Sequence, residues 1–507
     1  MNLKKRLKSV LGSRFFLMCL TFLLVIWSNK MVVAKSQVFI DRESQNIVNV
    51  RERYLVSQSF LDINYQGDYY SKLKEADNFY KQGDLVKVKQ IQREVKPDFP
   101  PATEPEPASV EVENLSPTAK EYWLTASETF EQKPEKKKII KQKILEPLEN
   151  LVEEAPDFVP GYILLADTHF YLLSKEKDGL EVIEKASEMY PGRDDILDKK
   201  IELLLAEGKP LEASIAAREF AYSYPDYYKS AEYEVAADEY QQQYQEKIKS
   251  KLGISTVAGA AGQVATGNEG GALELGQMLV QGESQTGQFI ANGYKTELPM
   301  VTDTNKLQYV NNIGQKLAKL MGRNEFSYEF NIVDEPSPNA FALPGGKIFL
   351  HTGMLQLIDS EAELAGILGH EIAHSVLSHG YQKIADKAIT DTGTSILSGI
   401  IGSQIADTAL QIGNVLLNQE FSRDKETEAD ILGLRVLDAA GYSADGLYNV
   451  MAKLKQVSGE SNFANSLLSS HPAPEERMRY LEELIQNRSY NRYGYEGVEE
   501  YQNVFPR

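Results

Sequence analysis

Cysteine is nearly absent from this chain: of its 507 residues only Cys19 is one. An intrachain disulfide or a multi-thiolate metal site is therefore excluded as a basis for its stability or chemistry. An excess of basic charge is missing too. Asp and Glu number 73 against 54 Lys and Arg, a formal net charge of −19. Binding to nucleic acid or to anionic lipid in general needs a basic face, so no nucleic-acid partner is expected. The longest apolar run near the N-terminus, Phe15 to Trp27, is short for a bilayer span of ~20 residues. Histidine is scarce, with six in all, which makes any clustering of them informative.

What is present begins with Lys4, Lys5, Arg6 and Lys8, followed by that apolar run and by Val32-Val33-Ala34. A basic start, a short apolar stretch and a small-residue exit predict a secretory signal peptide over residues 1–34 and an extracytoplasmic location; an uncleaved anchor is the alternative. Cys19 lies inside this segment, so cleavage leaves a mature chain without cysteine.

Apolar and charged fractions of 42% and 25% are those of a globular protein, and the length calls for two or three domains. Pro156, Pro191 and Pro225 recur at intervals of 35 and 34 residues, with amphipathic runs such as 161–173 and 178–190 between them. That period, two helices and a closing proline, predicts tetratricopeptide-like repeats over 116–247, or equally a generic array of helical hairpins. Residues 35–99 read as helical and partly repeat-like, and 100–115 as a proline-rich acidic linker. Residues 248–296 form a connecting region whose stretch from Gly253 to Gly293 is rich in glycine, which weakens helix. From 297 to 485 the pattern changes to helices around a strand over 326–333 and a turn at Pro344-Gly345-Gly346 before Lys347-Ile348-Phe349-Leu350. This predicts an α+β fold, mainly helical, with a small sheet, followed by a C-terminal tail over 486–507.

Chemistry concentrates on two of these helices. Ser360 and Glu363 form a capping box that opens a helix from about 360 to 377, and this helix carries His370-Glu371-Ile372-Ala373-His374. Histidines four apart on a helix share a face, so both rings can reach one ion, while Glu371 leaves at an adjacent angle to serve a water there. This is the arrangement of a zinc site that hydrolyses peptide bonds, with Glu371 as general base. A third histidine in the extended pattern would fall at 380, which is Gly380; His379 is off that register and reads as a cation at a helix end before the Gly380 stop. Downstream, Glu426 and Asp430 are four apart on a helix that runs to Gly441. A ligating carboxylate with a second that orients a ligating histidine is a recurrent pairing, which assigns Glu426 to the metal and Asp430 behind a histidine. An acidic helix N-terminus alone would also place acids here. Glu428, about 200° around the helix from Glu426, is expected to be solvated. His169 and His351 read as structural.

These residues, with Asn339-Ala340-Phe341-Ala342-Leu343-Pro344-Gly345-Gly346, Glu363-Leu364-Ala365 and His471-Pro472, resemble the zinc metallopeptidase family M48 over residues 300–485. The resemblance implies a gluzincin-type domain, one zinc ion per chain, Glu426 as third ligand, and a substrate-binding edge strand starting at Asn339, Ala340 and Phe341. It also implies that His471 approaches the zinc, to stabilise an oxyanion or to act as a removable fourth ligand; otherwise it is a loop histidine before a helix. Some members of the family are membrane-embedded, but residues 396–417 carry Gln404, Asp407, Gln411 and Asn414 as one polar stripe. That makes an amphipathic helix for packing or peripheral membrane contact, closer to the periplasmic, BepA-like branch. The expected partners are protein or peptide substrates and, through the repeats, envelope assembly machinery. A chaperone or assembly scaffold with a silent zinc site is the competing function.

Overall fold

A computed structural model describes residues 67–100, 107–251, 279, 281–390, 413, 416, 421–458, 471 and 474–506. The expected signal peptide and the amphipathic segment 396–417, apart from Gly413 and Leu416, lie outside the described residues. The chain divides into two compact units, residues 1–66 with 96–100, and residues 67–95 with 101–507. Within the first, Lys96–Pro100 are described and carry no helix or strand. Everything below concerns the second. No helix among the described residues is long and apolar enough to cross a membrane.

The second unit opens with a helical hairpin, α1 (Gly67–Lys81) and α2 (Leu85–Val95), turned at Gly83 with φ +81°. A run of helix pairs follows: α3 (Pro117–Glu131), α4 (Lys137–Ile140), α5 (Glu146–Glu154), α6 (Val159–Asp167), α7 (Glu176–Met189), α8 (Asp194–Ala206), α9 (Pro210–Ser223) and α10 (Ser230–Lys251). Their periodicity has a backbone cause. Ala155, Tyr190 and Tyr224, each before a proline, end their helices with φ/ψ of −127°/72°, −133°/59° and −129°/60°. A following proline excludes the helical region for the residue before it, so each pair stops at the same geometry. Phe158, Tyr162, Ile183, Ile196, Leu203 and Phe220 fill the continuous interior. The stretch 107–115, expected as linker, is tied into this array: Ser109 donates to Asp157 and accepts from Val159 through the backbone.

The remaining helices, α11 (Glu283–Glu297), α12 (Thr304–Met321), α13 (Thr352–Leu357), α14 (Glu361–Val376), α15 (His379–Thr390), α16 (Arg423–Ala439), α17 (Gly446–Ser458), α18 (Pro474–Asn487) and α19 (Val498–Val504), surround a three-stranded sheet. Its strands are β1 (Glu329–Val333), β2 (Ala340–Leu343) and β3 (Lys347–His351), in the order β1-β3-β2. β3 runs parallel to β1 and antiparallel to β2. Gly345 and Gly346 close the β2–β3 turn at φ +69° and +79°, a conformation that side chains resist. The class expected from sequence, α+β and mainly helical with a small sheet, is the one observed.

β2 is an edge. The His351 amide donates to Asn339 O at 2.9 Å, so Asn339 and His351 form a hydrogen-bonded pair. By alternation Phe341 and Leu343 also bond to β3, and the N–H and C=O of Ala340 and Ala342 point to the outer side. Beneath the sheet, α14 is buried on every side from Ala362 to Val376, as befits a helix apolar nearly all round. Ser360 caps it by accepting from the Glu363 amide at 3.2 Å. Gly369 on α14 and Gly433 on α16 let the two helices approach: a Cβ at Gly433 would meet the His370 nitrogen at 3.2 Å. That closeness brings the chemistry of two distant segments together.

Two expectations change. Residues 486–506 are not a tail: Tyr501 is buried and donates to Leu355 O at 2.6 Å, and the Glu496 and Val498 amides donate to Asp77 at 2.9 and 3.1 Å. The α1–α2 hairpin thus packs on the C-terminal segment. The connecting region 248–296 contains a packed helix, α11, while 252–278 and 280 lie outside the described residues. Glu283 at the start of α11 is buried, and its Oε1 accepts from Gln241 of α10 at 2.6 Å, Ser378 at 2.6 Å and Arg323 at 3.4 Å.

Candidate metal centre

Helix periodicity puts the His370 and His374 rings on one face of α14, with their Nε2 atoms 3.1 Å apart. Glu426, near the start of α16, meets them: its Oε1 is 3.4 Å from His374 Nε2 and its Oε2 is 3.6 Å from His370 Nε2. His471 completes the group, its Nδ1 lying 2.9 Å from Glu426 Oε1 and 3.3 Å from His370 Nε2. All four side chains are buried, and one donor atom of each lies within 4.8 Å of the others. Glu371 stands beside the group, its Oε1 3.6 Å from His471 Nε2.

The donor chemistry fits zinc. Bonds of ~2.0–2.1 Å in a tetrahedral shell put donors about 3.3 Å apart, and three imidazole nitrogens with one carboxylate oxygen are ligands zinc accepts. The outward ring nitrogens are occupied, which aims the inward ones. His370 Nδ1 meets Asp430 Oδ1 at 3.0 Å, and His374 Nδ1 meets His379 Nδ1 at 2.9 Å. The local field also favours a cation. Burial and Arg477 push the His370 imidazole down, yet hydrogen bonds to Asp430 and Glu426 outweigh them and raise it to about 9. Burial keeps His374 far below its ordinary value, hence neutral. Burial alone would lift Glu426, but His471 and Arg477 hold it well below the usual carboxylate range.

Sequence reasoning missed Arg477. From α18 it donates to both oxygens of Asp430, at 2.7 and 2.9 Å, and its Nη1 lies 2.6 Å from Glu426 Oε2. A single guanidinium fork therefore fixes the two carboxylates of α16. Its position six residues after His471 was visible, but nothing local marks an arginine as buried. His379 is also corrected. The helix breaks at Leu377 and Ser378, the latter at φ +60°, and His379 opens α15 instead of closing α14. Fully buried and held neutral by burial and Lys425, it links His374 to Glu428, whose Oε2 is 3.0 Å from His379 Nε2. Glu428 is accordingly half-buried, where the sequence alone predicts a solvated side chain. His169 and His351 lie elsewhere, His351 Nδ1 3.0 Å from Ser337 Oγ at the end of β3. Asn339, Ala340 and Phe341 are buried at the edge strand.

Comparison with known proteins places these features. A model of peptidase family M48 matches residues 304–485. The mitochondrial metalloendopeptidase OMA1 of Schizosaccharomyces pombe is 32% identical over 181 residues, 35% of this chain and 52% of that protein. The beta-barrel assembly-enhancing protease of Escherichia coli (strain K12) is 27% identical over 219 residues, 41% of this chain and 44% of that protein. OMA1 of Arabidopsis thaliana is 35% identical over 156 residues, 31% of each chain. The chain thus spans about half or less of the length of the curated relatives it matches. Every donor and positioning group described above falls inside the matched segment, and residues 304–485 are what this chain shares with peptidase family M48 and with relatives named as metalloendopeptidases.

Proposed function

We propose that the protein is a zinc-dependent endopeptidase of the cell envelope that hydrolyses misfolded or unassembled envelope proteins. The observation that carries this reading is the convergence of His370, His374 and Glu426 beside the Glu371 carboxylate. Zinc, when bound, supplies a Lewis acid that acidifies water and polarises a carbonyl. Glu371 takes the proton from the attacking water and passes it to the leaving amine. The outward N–H and C=O groups of Ala340 and Ala342 offer an extended substrate the place of an added strand, with Asn339 and Phe341 bonded inward. Asp430 and Arg477 hold His370 and Glu426 in place. Asp430→Asn is expected to weaken zinc affinity about 10–100-fold, measured by competition with a chromogenic chelator; unchanged affinity would remove Asp430 from that role.

Catalysis needs an open position on the metal, whereas His471 joins the other three donors and would make four ligands. In this reading His471 would be a removable fourth ligand, whose withdrawal would leave the position that substrate needs. The same closure favours the second reading, a chaperone or assembly scaffold that binds envelope proteins through tetratricopeptide-like repeats and leaves the zinc silent. One relative's name, beta-barrel assembly-enhancing protease, joins both activities. Secretion to the periplasm follows from the expected signal peptide. Unfolded casein separates the readings. The purified chain is expected to cleave it, a chelator to stop cleavage and zinc to restore it, with His471→Ala faster than wild type. No cleavage by either form would favour the scaffold.

A further inference from the structure

A cavity of about 480 Å3 lies between the helix pairs and the metal-site helices, and Glu426 and Arg477 form part of its wall. Glu184 and Glu188 of α7, Glu219 of α9, and Asp424 and Glu428 of α16 line it, drawn from segments more than 200 residues apart in sequence. Its cations are largely engaged: Arg193 with Asp195 at 2.6 Å, Arg423 with Glu476 at 3.1 Å, and Arg477 with Glu426 and Asp430. Lys200 and Arg479 also stand on the wall, and the Lys200 charge partly offsets Glu184, Glu188, Glu219 and Glu428, leaving eight acidic residues on the wall against five basic ones. The balance is acidic and poorly solvated. Burial holds Glu184 and Glu188 above the usual carboxylate range, with Asp424 adding to it and Lys200 opposing it in part. Burial and the Glu428 charge push Glu219 up to about 7. Carboxylates crowded in this way gain from an added cation. Met189, Ile196 and Ile431 supply apolar wall for an alkyl stem.

We propose that this cavity receives a lysine or arginine side chain of the polypeptide being cleaved, so that the helix pairs and the metal-site helices together select cut sites by a nearby basic residue. The inference rests on the protease reading and names its substrate class. Volume supports it, since ligand pockets begin at about 300 Å3. So does position, because the acidic wall is continuous with the Glu426 carboxylate.

The test separates binding from turnover. Zinc-loaded full chain carrying Glu371→Gln is titrated with a fluorescent, unfolded casein-derived peptide containing one lysine, and with its norleucine counterpart. The lysine peptide is expected to bind about tenfold more tightly, a gap that narrows at high salt. Adding Glu184→Gln and Glu188→Gln should abolish the gap with the melting temperature unchanged; Asp424→Asn, at an exposed position, serves if that pair fails to fold. Equal affinities, or a gap that survives the substitutions, overturn the proposal. Cut sites of the wild type on casein, mapped by mass spectrometry, should carry Lys or Arg at one fixed position. Cleavage without that preference overturns the cavity assignment and leaves the protease reading standing. Lysine-selective binding without any cleavage supports the cavity and sinks the protease.

Discussion

Glu371→Gln is expected to hold zinc as the wild type does and to cleave casein slower by about 100- to 10,000-fold, the range a positioned general base supplies. The carboxylate is buried on α14 directly after His370 and is not one of the four clustered donors. Glutamine keeps its volume and its hydrogen-bonding reach but accepts no proton. Metal content by atomic absorption and proteolysis by gel give the two readouts. Turnover near wild type would refute Glu371 as the base, and lost zinc would show that it belongs to the ligand set.

Glu426→Gln is expected to do the opposite, releasing zinc and with it all cleavage. A neutral amide is a poor zinc ligand beside imidazole. The substitution also unbalances a buried network, since Arg477 Nη1 lies 2.6 Å from Glu426 Oε2. Asp430 still holds the guanidinium, so the metal-free fold should survive the substitution with a lowered melting temperature. Zinc stoichiometry and thermal melting of the metal-free protein measure the two effects. Full zinc occupancy in this variant would mean that another group completes the shell.

What could be read from sequence was set by local periodicity. His370 and His374 announce a shared helix face, and Glu426 and Asp430 announce another, because the four-residue spacing alone fixes both. Prolines 156, 191 and 225 were legible for a similar reason: each acts on the residue directly before it. Legibility failed where the outcome depends on what packs from outside the segment. Glu428 sits on the predicted face of α16, yet His379, brought in from another helix, pairs with it there. His379 was misplaced because the turn after the metal helix uses Ser378 at positive φ and leaves Gly380 inside a helix. Arg477 acquires its role when α18 docks beside α16. Tyr501 and the segment before it are ordinary in composition, and their partners, Leu355 and the Asp77 carboxylate, lie about 150 and more than 400 residues earlier.

Glu283 has a mechanical consequence. One carboxylate oxygen grips the last helix of the paired array, the arginine that follows α12 and the serine that ends the metal helix's turn. Displacing any one of the three breaks a buried hydrogen bond to a carboxylate, so a tug on the outer helices is felt at the imidazole-bearing helix as if through a rivet. Should the outer helices hold a substrate as proposed, its pull would reach the metal helix through this one carboxylate.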